Sequence, residues 1–315
     1  MFTVAAPRPG HQAAAAGHRG GRSTPADGVK VRFLGTAAGG GLPQWNCACD
    51  GCARARREGT ERTQDCLAVS GDGRAWYLVN ASPDLRTQLL RTPELAPDPG
   101  SRDTPIRGVL LTSAELDHTL GLFLLREAGS LVVYATAPVH RALLAGTVLD
   151  RYTTVDRRTV VDGEPLQLDG GLTATAFTVG ERRPRYAAGQ PGADWVVGYR
   201  FVDVDGGGVL VYVPCLASWT PAVDSAVAEA DVVVLDGTFF TSDEMARQTG
   251  LSRPAAGMGH LPIEETLPLL RAHRGPRYLF THLNNTNPVA HSAAHRSLLA
   301  KSGADIAPEA GLINL

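Results

Sequence analysis

Three cysteines crowd into the stretch "WNCACDGC": Cys47, Cys49 and Cys52. Thiolates at that spacing can give three ligands to one tetrahedral zinc, and such closed sites hold together loops that bury too little surface to hold themselves. Asn, Asp and Gly lie among the thiols, so the stretch reads as a structural metal loop and not as core. Cys66, His291 and Asn285 are the candidates for a fourth ligand, and spacing does not choose among them. "GTAAGGG" just upstream lacks the Gly-Lys-Ser/Thr of a phosphate loop and does not match G-x-G-x-x-G, so its glycines read as tight turns beside the metal loop. His291 and His295 in "HSAAH" stand at i and i+4, the spacing of a shared helix face, and a solvated face is expected there. His140 and His273 are expected at the surface of amphipathic helices.

These groups need a scaffold, and the chain has material for one. It has 315 residues, 43% of them hydrophobic, with 30 basic residues against 32 acidic. That suffices for a sizeable core, and the balanced charge gives no argument for nucleic acid, an anionic membrane or a strongly charged partner. Residues 1–28, rich in Ala, Gly, Pro and Arg, read as a flexible tail, and residues 29–315 as the folded domain. With no membrane span and no secretory core in view, a cytoplasmic protein is expected, where clustered thiols bind metal more readily than they form disulfides. Strand patterns in "VKVRFLG", "AWYLVNAS", "IRGVLLTS", "LTATAFTV", "WVVGYRFVDVD", "GVLVYVPC" and "DVVVLDGTFF" alternate with helical patterns in "GLFLLREAG", "PVHRALLAG" and "PIEETLPLLRAHRG", before a last strand "RYLFTHL". Many strands run into loops carrying His, Asp, Asn or Cys, which is how a sheet presents a site at its edge.

In "LLTSAELDHTLGL" an apolar strand enters a loop with Asp117 beside His118, followed by an apolar helix. This layout resembles the metallo-β-lactamase superfamily, whose motif there is H-x-H-x-D-H, and implies its four-layer αββα sandwich. Ser113 and Glu115 replace the two leading histidines, and Gly180 stands where another is expected. Cys215 occupies the region of the bridging aspartate, and His282 the place of the last ligand. The resemblance thus implies that the first of two metal sites is dismantled and the second kept on Asp117, His118 and His282. Two imidazoles and a carboxylate suit non-haem iron(II), leaving three positions open for substrate and O2, and zinc accepts the same donors. Cys215 reads equally as a softer additional ligand or as a buried thiol at a strand end.

The stretches "FLGTAAGGGLPQWNCACDGC", "ERTQDCLAV", "VNASPDL", "LDHTLGLFLLREA", "DGTFF", "MGHL" and "THLNNTNP", in that order, resemble the B-protein family of pyrroloquinoline quinone biosynthesis. The resemblance spans nearly everything after the tail. Cys215 departs from the small residue usual in that family after the proline, and Glu115 from an expected Gln. The family implies an iron- and O2-dependent hydroxylase acting on the tyrosine ring of a small Glu-Tyr-derived intermediate, supplied by other cofactor-biosynthesis enzymes. His260 is then a candidate general acid or base, and Asp236 a carboxylate that fixes its tautomer or an ordinary Asp-Gly turn. A zinc hydrolase of the superfamily and a non-catalytic carrier of the quinone are the other classes compatible with these residues.

Overall fold

The computed structural model describes residues 28–144, 148–205, 207–250 and 253–315; the tail expected over residues 1–28 lies, but for Gly28, outside them. Seven strands build one sheet: β1 (Lys30–Gly35), β2 (Cys66–Ser70), β3 (Trp76–Val79), β4 (Ile106–Leu110), β5 (Ser130–Ala135), β6 (Thr154–Thr159) and, from the far end of the chain, β14 (Leu312–Asn314). Seven more build a second: β7 (Pro165–Leu168), β8 (Leu172–Gly180), β9 (Val196–Asp203), β10 (Val209–Val213), β11 (Val232–Asp236), β12 (Arg277–Thr281) and β13 (Ala304–Ile306). The spatial orders are β14-β1-β2-β3-β4-β5-β6 and β13-β12-β11-β10-β9-β8-β7.

Burial patterns explain the stacking. Along β8, Leu172, Ala174 and Ala176 alternate inward to meet Phe33, Val69, Tyr77 and Leu110 of the other sheet. In contrast, β11 (VVVLD) is buried throughout, as a strand covered on both faces must be. The outer face of the first sheet packs Trp76, Val109 and Val133 against Leu85, Val139 and Ala142 of the short helices Leu85–Leu90 and Ala137–Ala142. The outer face of the second packs Val211, Val233 and Phe280 against helices Pro221–Ala228, Ile263–Leu270 and Ala293–Lys301. The result is the expected αββα sandwich. Among the described residues no helix is long and apolar enough to cross a membrane.

Three expectations need correction. "RYLFTHL" is not the last strand, because β13 and β14 follow it, three residues each and too short to show a period. "GLFLLREAG" is not an α-helix: a single turn, Leu116–Thr119, passes into a 3-10 segment, Leu120–Leu125. The tighter segment lets Gly121 press against the Ala81–Ser82 backbone, where an added Cβ would sit 2.2 Å from Ser82 O. His291 and His295 do not share a helix face, since Ser292 caps the helix between them with its side chain accepting from His295 N.

Strand direction places the site. From β3 to β6 in the first sheet, and from β10 to β13 in the second, neighbours run parallel. Their ends therefore gather at one edge, where loops carry chemistry. The loops leaving β4, β10, β11 and β12 deliver His118, Cys215, Thr238 and His282.

Candidate metal centre

His118 and His282 meet from opposite sheets, with ring centroids 5.3 Å apart and their planes nearly perpendicular. A ring nitrogen of each and the sulfur of Cys215 lie within 4.8 Å of one another. Asp117 joins them through Oδ2, 3.2 Å from His282 Nε2. The structure thus brings together the four residues Asp117, His118, Cys215 and His282.

Each imidazole is held by its other nitrogen. His118 Nδ1 lies 2.9 Å from Ser113 Oγ and 3.2 Å from Thr112 Oγ1, whose own proton goes to Asn80 Oδ1. Nδ1 is therefore the protonated nitrogen and Nε2 carries the lone pair; Nε2 is buried and has no hydrogen-bond partner. An orphaned buried acceptor is costly unless a cation satisfies it, which is the fit expected of a metal ligand. For His282, Thr238 Oγ1 donates to Asp236 Oδ1 at 2.6 Å and so accepts from His282 Nδ1 at 2.8 Å. His282 Nε2 is thereby turned to Asp117, bonding its Oδ2 at 3.2 Å. His282 also holds a left-handed backbone, φ 56°, which a non-glycine residue adopts only when its surroundings force it.

The electrostatics favour a cation. Burial pushes His118 down to about 4, so it is the neutral imidazole a metal requires. Burial also opposes charge on His282, but the bonded Asp117 carboxylate, with Asp65 and Asp236 behind it, lifts that ring to about 9. Although burial disfavours its charge, Asp117 is held well below the usual carboxylate range by His118 and His282. Burial, and then Asp236 and Asp117, drive the Cys215 thiol well above its ordinary value. A proton on His282 Nε2 fills the place a divalent ion would take beside the carboxylate.

His260 sits beside this group, its ring stacked on His282 with centroids 5.6 Å apart. Its Nδ1 donates to Asp236 Oδ2 at 2.7 Å, which leaves Nε2 for a ligand. Asp236 is fully occupied as an anchor, since Leu216 N and Thr238 N also donate to it at 2.7 and 2.9 Å. It orients His260 and does not face the cavity. Asp236, His260 and His282 nonetheless form a second group of ligand-type atoms within 4.8 Å. The cavity, about 300 Å³, is lined by Glu115, Asp117, Cys215, His260 and His282, with Val179, Val196, Phe239 and Met258 as apolar walls and Arg182, Arg185 and Arg253 at its margin.

Ser113, Glu115 and Gly180 build no second site of imidazoles. Ser113, read from sequence only as a lost ligand, holds the His118 ring. Sequence reading missed Thr238 and Thr112 altogether, because a threonine that orients a histidine 44 residues away leaves no local pattern.

The three cysteines form the other candidate centre, with sulfurs within 4.8 Å of one another. Cys49 stands at the N-cap of the helix Asp50–Glu58, and Cys52 is buried in its first turn. Asn285 caps the three thiols, its Nδ2 lying 3.1, 3.4 and 3.4 Å from Cys47, Cys49 and Cys52. Cys66 is elsewhere, buried on β2 and bonded to Asn80 O, whereas the His291 ring lies beside Gly51, 3.4 Å from where a Cβ on that glycine would be, with Nδ1 buried and unpartnered. Burial opposes ionisation of Cys47, yet bonds from Cys49 and Asn285 bring its pKa below the ordinary value, while burial and the neighbouring thiols push Cys49 up to about 11. The weaker histidines are structural: His140 Nε2 lies 3.0 Å from Arg158 O, His273 Nε2 lies 2.9 Å from Asp224, and His295 packs edge-on against Phe240.

A family model described as a β-lactamase superfamily domain matches residues 75–283. Coenzyme PQQ synthesis protein B of Azoarcus sp. is 37% identical, over 91% of this chain and 100% of its own length. The protein of the same name from Cupriavidus taiwanensis is 40% identical, over 88% of this chain and 96% of its own. Among solved structures, Zn(2+)-bound PqqB from Methylobacterium extorquens superposes with a TM-score of 0.85 at 33% identity, covering 91% of this chain and 100% of that one. A diphosphatase of the PhnP family shares the fold at a TM-score of 0.68 and 20% identity, covering 91% and 97%.

Proposed function

Because this chain belongs to the coenzyme PQQ synthesis protein B family of the β-lactamase superfamily, we propose that it performs the oxidative step on tyrosine in making that cofactor: iron- and O2-dependent hydroxylation of the ring in a Glu-Tyr-derived intermediate, in which one oxygen atom enters the ring and the other leaves as water with two electrons from an external reductant. The observation that carries the metal-dependent part is the buried, unpartnered Nε2 of His118 on a ring grouped with His282 and Cys215, with Asp117 bonded to His282. Asp117, His118 and His282 would hold iron(II), whose chemistry when bound is the activation of O2. With Ser113, Glu115 and Gly180 in place of imidazoles, one ion is expected at this centre and not the bridged pair of a hydrolase.

The chain's own groups supply the rest. His260, locked by Asp236 with its proton on Nδ1, offers Nε2 to take the phenolic proton of the substrate. Phe239, Val179, Val196 and Met258 give the ring an apolar wall that excludes water. The guanidinium groups of Arg182, Arg185 and Arg253 at the margin suit carboxylates of a peptide-derived acid. The cysteine cluster would hold a zinc for architecture.

The test is a paired comparison of metal content and single-turnover oxygen consumption with a Glu-Tyr-derived substrate. His118→Ala should lose the iron and the turnover while keeping the cysteine-bound zinc. His260→Ala should keep the iron and slow turnover roughly 10²- to 10⁴-fold. Wild-type iron in His118→Ala would refute the ligand assignment. Two or more zincs and no iron in the active protein would instead support a hydrolase, and a single zinc without turnover a carrier.

A further inference from the structure

From the placement of its sulfur we infer that Cys215 is itself a ligand of the catalytic ion, so that this chain grips the metal with two imidazoles and a thiolate and has Asp117 alongside. The inference rests on the metal centre proposed above and specifies which atoms complete it.

Three observations carry it. The Cys215 sulfur is grouped with the ligand nitrogens of His118 and His282 within 4.8 Å, and of the five cysteines in the chain Cys215 alone is in that group. His118 belongs to the same cluster, and its Nε2 is a fully buried nitrogen with no hydrogen-bond partner, a lone pair that a cation would satisfy. The thiol also has no hydrogen bond among the described residues. Cys66 shows the alternative, since a merely structural buried thiol in the same protein finds a carbonyl, Asn80 O, at 3.2 Å.

The backbone holds Cys215 in this position. The next residue, Leu216, is pinned from both sides: its N–H donates to Asp236 Oδ2 at 2.7 Å and its carbonyl accepts from Leu261 N at 2.5 Å. Asp236 thereby fixes three things at once: His260 directly, His282 through Thr238, and the peptide after Cys215. Such shared anchoring is how a protein sets ligand geometry before the ion arrives. Cys215 lines the cavity, so the thiolate faces the same space as the substrate.

The chemical consequence is selectivity. A thiolate added to two imidazoles favours softer and more tightly bound ions such as zinc, cobalt(II) and copper over magnesium or manganese, and it fills a position that a three-ligand centre leaves open. Full occupancy by Asp117, His118, Cys215 and His282 leaves room for fewer exogenous ligands than Asp117 and two histidines alone.

Cobalt(II) tests this without reference to turnover. The purified full-length chain is loaded with one equivalent of zinc to fill the cysteine cluster and then titrated with cobalt(II). Wild type should show visible d–d bands together with a near-ultraviolet thiolate-to-cobalt charge-transfer band. Cys215→Ala should keep the d–d bands, lose the charge-transfer band and bind cobalt at least about 10-fold more weakly, the loss expected when even an outer partner of a ligand is removed. A charge-transfer band and affinity unchanged in Cys215→Ala would overturn the assignment while leaving the metal centre standing. Failure of wild type to bind a second ion would overturn both.

Discussion

Replacing Asp236 by Asn should disturb both histidines at little steric cost, and the structure sets the size of the effect. Both carboxylate oxygens are saturated by donors: Oδ2 by Leu216 N and His260 Nδ1, each at 2.7 Å, and Oδ1 by Thr238 N at 2.9 Å and Thr238 Oγ1 at 2.6 Å. An amide has one acceptor oxygen and one donor nitrogen, so whichever way it turns, NH2 faces a backbone N–H. One buried N–H is thereby orphaned, at a cost of about 1–3 kcal/mol. At about 2–4 °C per kcal/mol for a chain of this order, the melting temperature should fall by roughly 2–12 °C. Turning the oxygen toward Thr238 leaves His260 facing NH2 and moves its proton to Nε2, the atom proposed to accept the phenolic proton. Turning it toward Leu216 makes the Thr238 hydroxyl donate to His282 Nδ1 and places a proton on Nε2, where the metal should bind. Either way turnover should fall roughly 10²- to 10⁴-fold. Metal analysis tells the two orientations apart, since only the second loses iron. Scanning calorimetry, metal content and single-turnover rates on one preparation make the assay. An unchanged melting temperature with turnover within a few fold of wild type would refute the reasoning.

Ser113→Ala removes the nearest acceptor for His118 Nδ1, leaving only the Thr112 hydroxyl at 3.2 Å; competition with a chelator should show affinity for the catalytic ion falling roughly 10- to 100-fold. Cys49→Ser should lower zinc content and thermal stability together, because ions at such sites fold the loop they bind; one full equivalent of zinc with an unaltered melt would count against it. Glu244, bonded to Phe240 N and Thr286, is pushed by burial from 4.5 up to about 7. Because its folded pKa is raised, its proton favours the native state, and the carboxylate penalty grows as pH rises from about 4.5 through 7 to a plateau of about 3 kcal/mol. Denaturation curves of wild type and Glu244→Gln at pH 5 and pH 8 should therefore show the variant gaining on wild type at the higher pH. A difference independent of pH would exclude an ionising Glu244.

What could be read from sequence was what repeats or what chemistry names. The sandwich was legible because β8 and β11 carry their burial in an alternating or continuous apolar pattern, and Asp117, His118 and His282 stood out as candidates because side chains that can bind metal are few in kind. β6 (TVDRRT) was not legible, since an edge strand with mostly exposed residues has no apolar period to detect. The role of Ser113 was hidden for a different reason: a hydroxyl is identified as a histidine's partner only by the tertiary fold that brings them to 2.9 Å. Nothing in the sequence set Asn285 apart from Cys66 and His291 beside the cysteines, and only the fold shows the β12 loop laying its amide over the three sulfurs.

That loop has a bearing on how the protein is made. Asp117 and His282 meet across 165 residues, and Cys47 and Asn285 across 238. Both centres are closed by one short stretch, His282 to Asn285, just beyond β12. On the ribosome the three cysteines emerge well before the amide that caps them, and that amide and the imidazole of the other cluster arrive together. Contacts this distant in sequence form late in folding. A nascent or truncated chain lacking those four residues therefore has neither cluster complete.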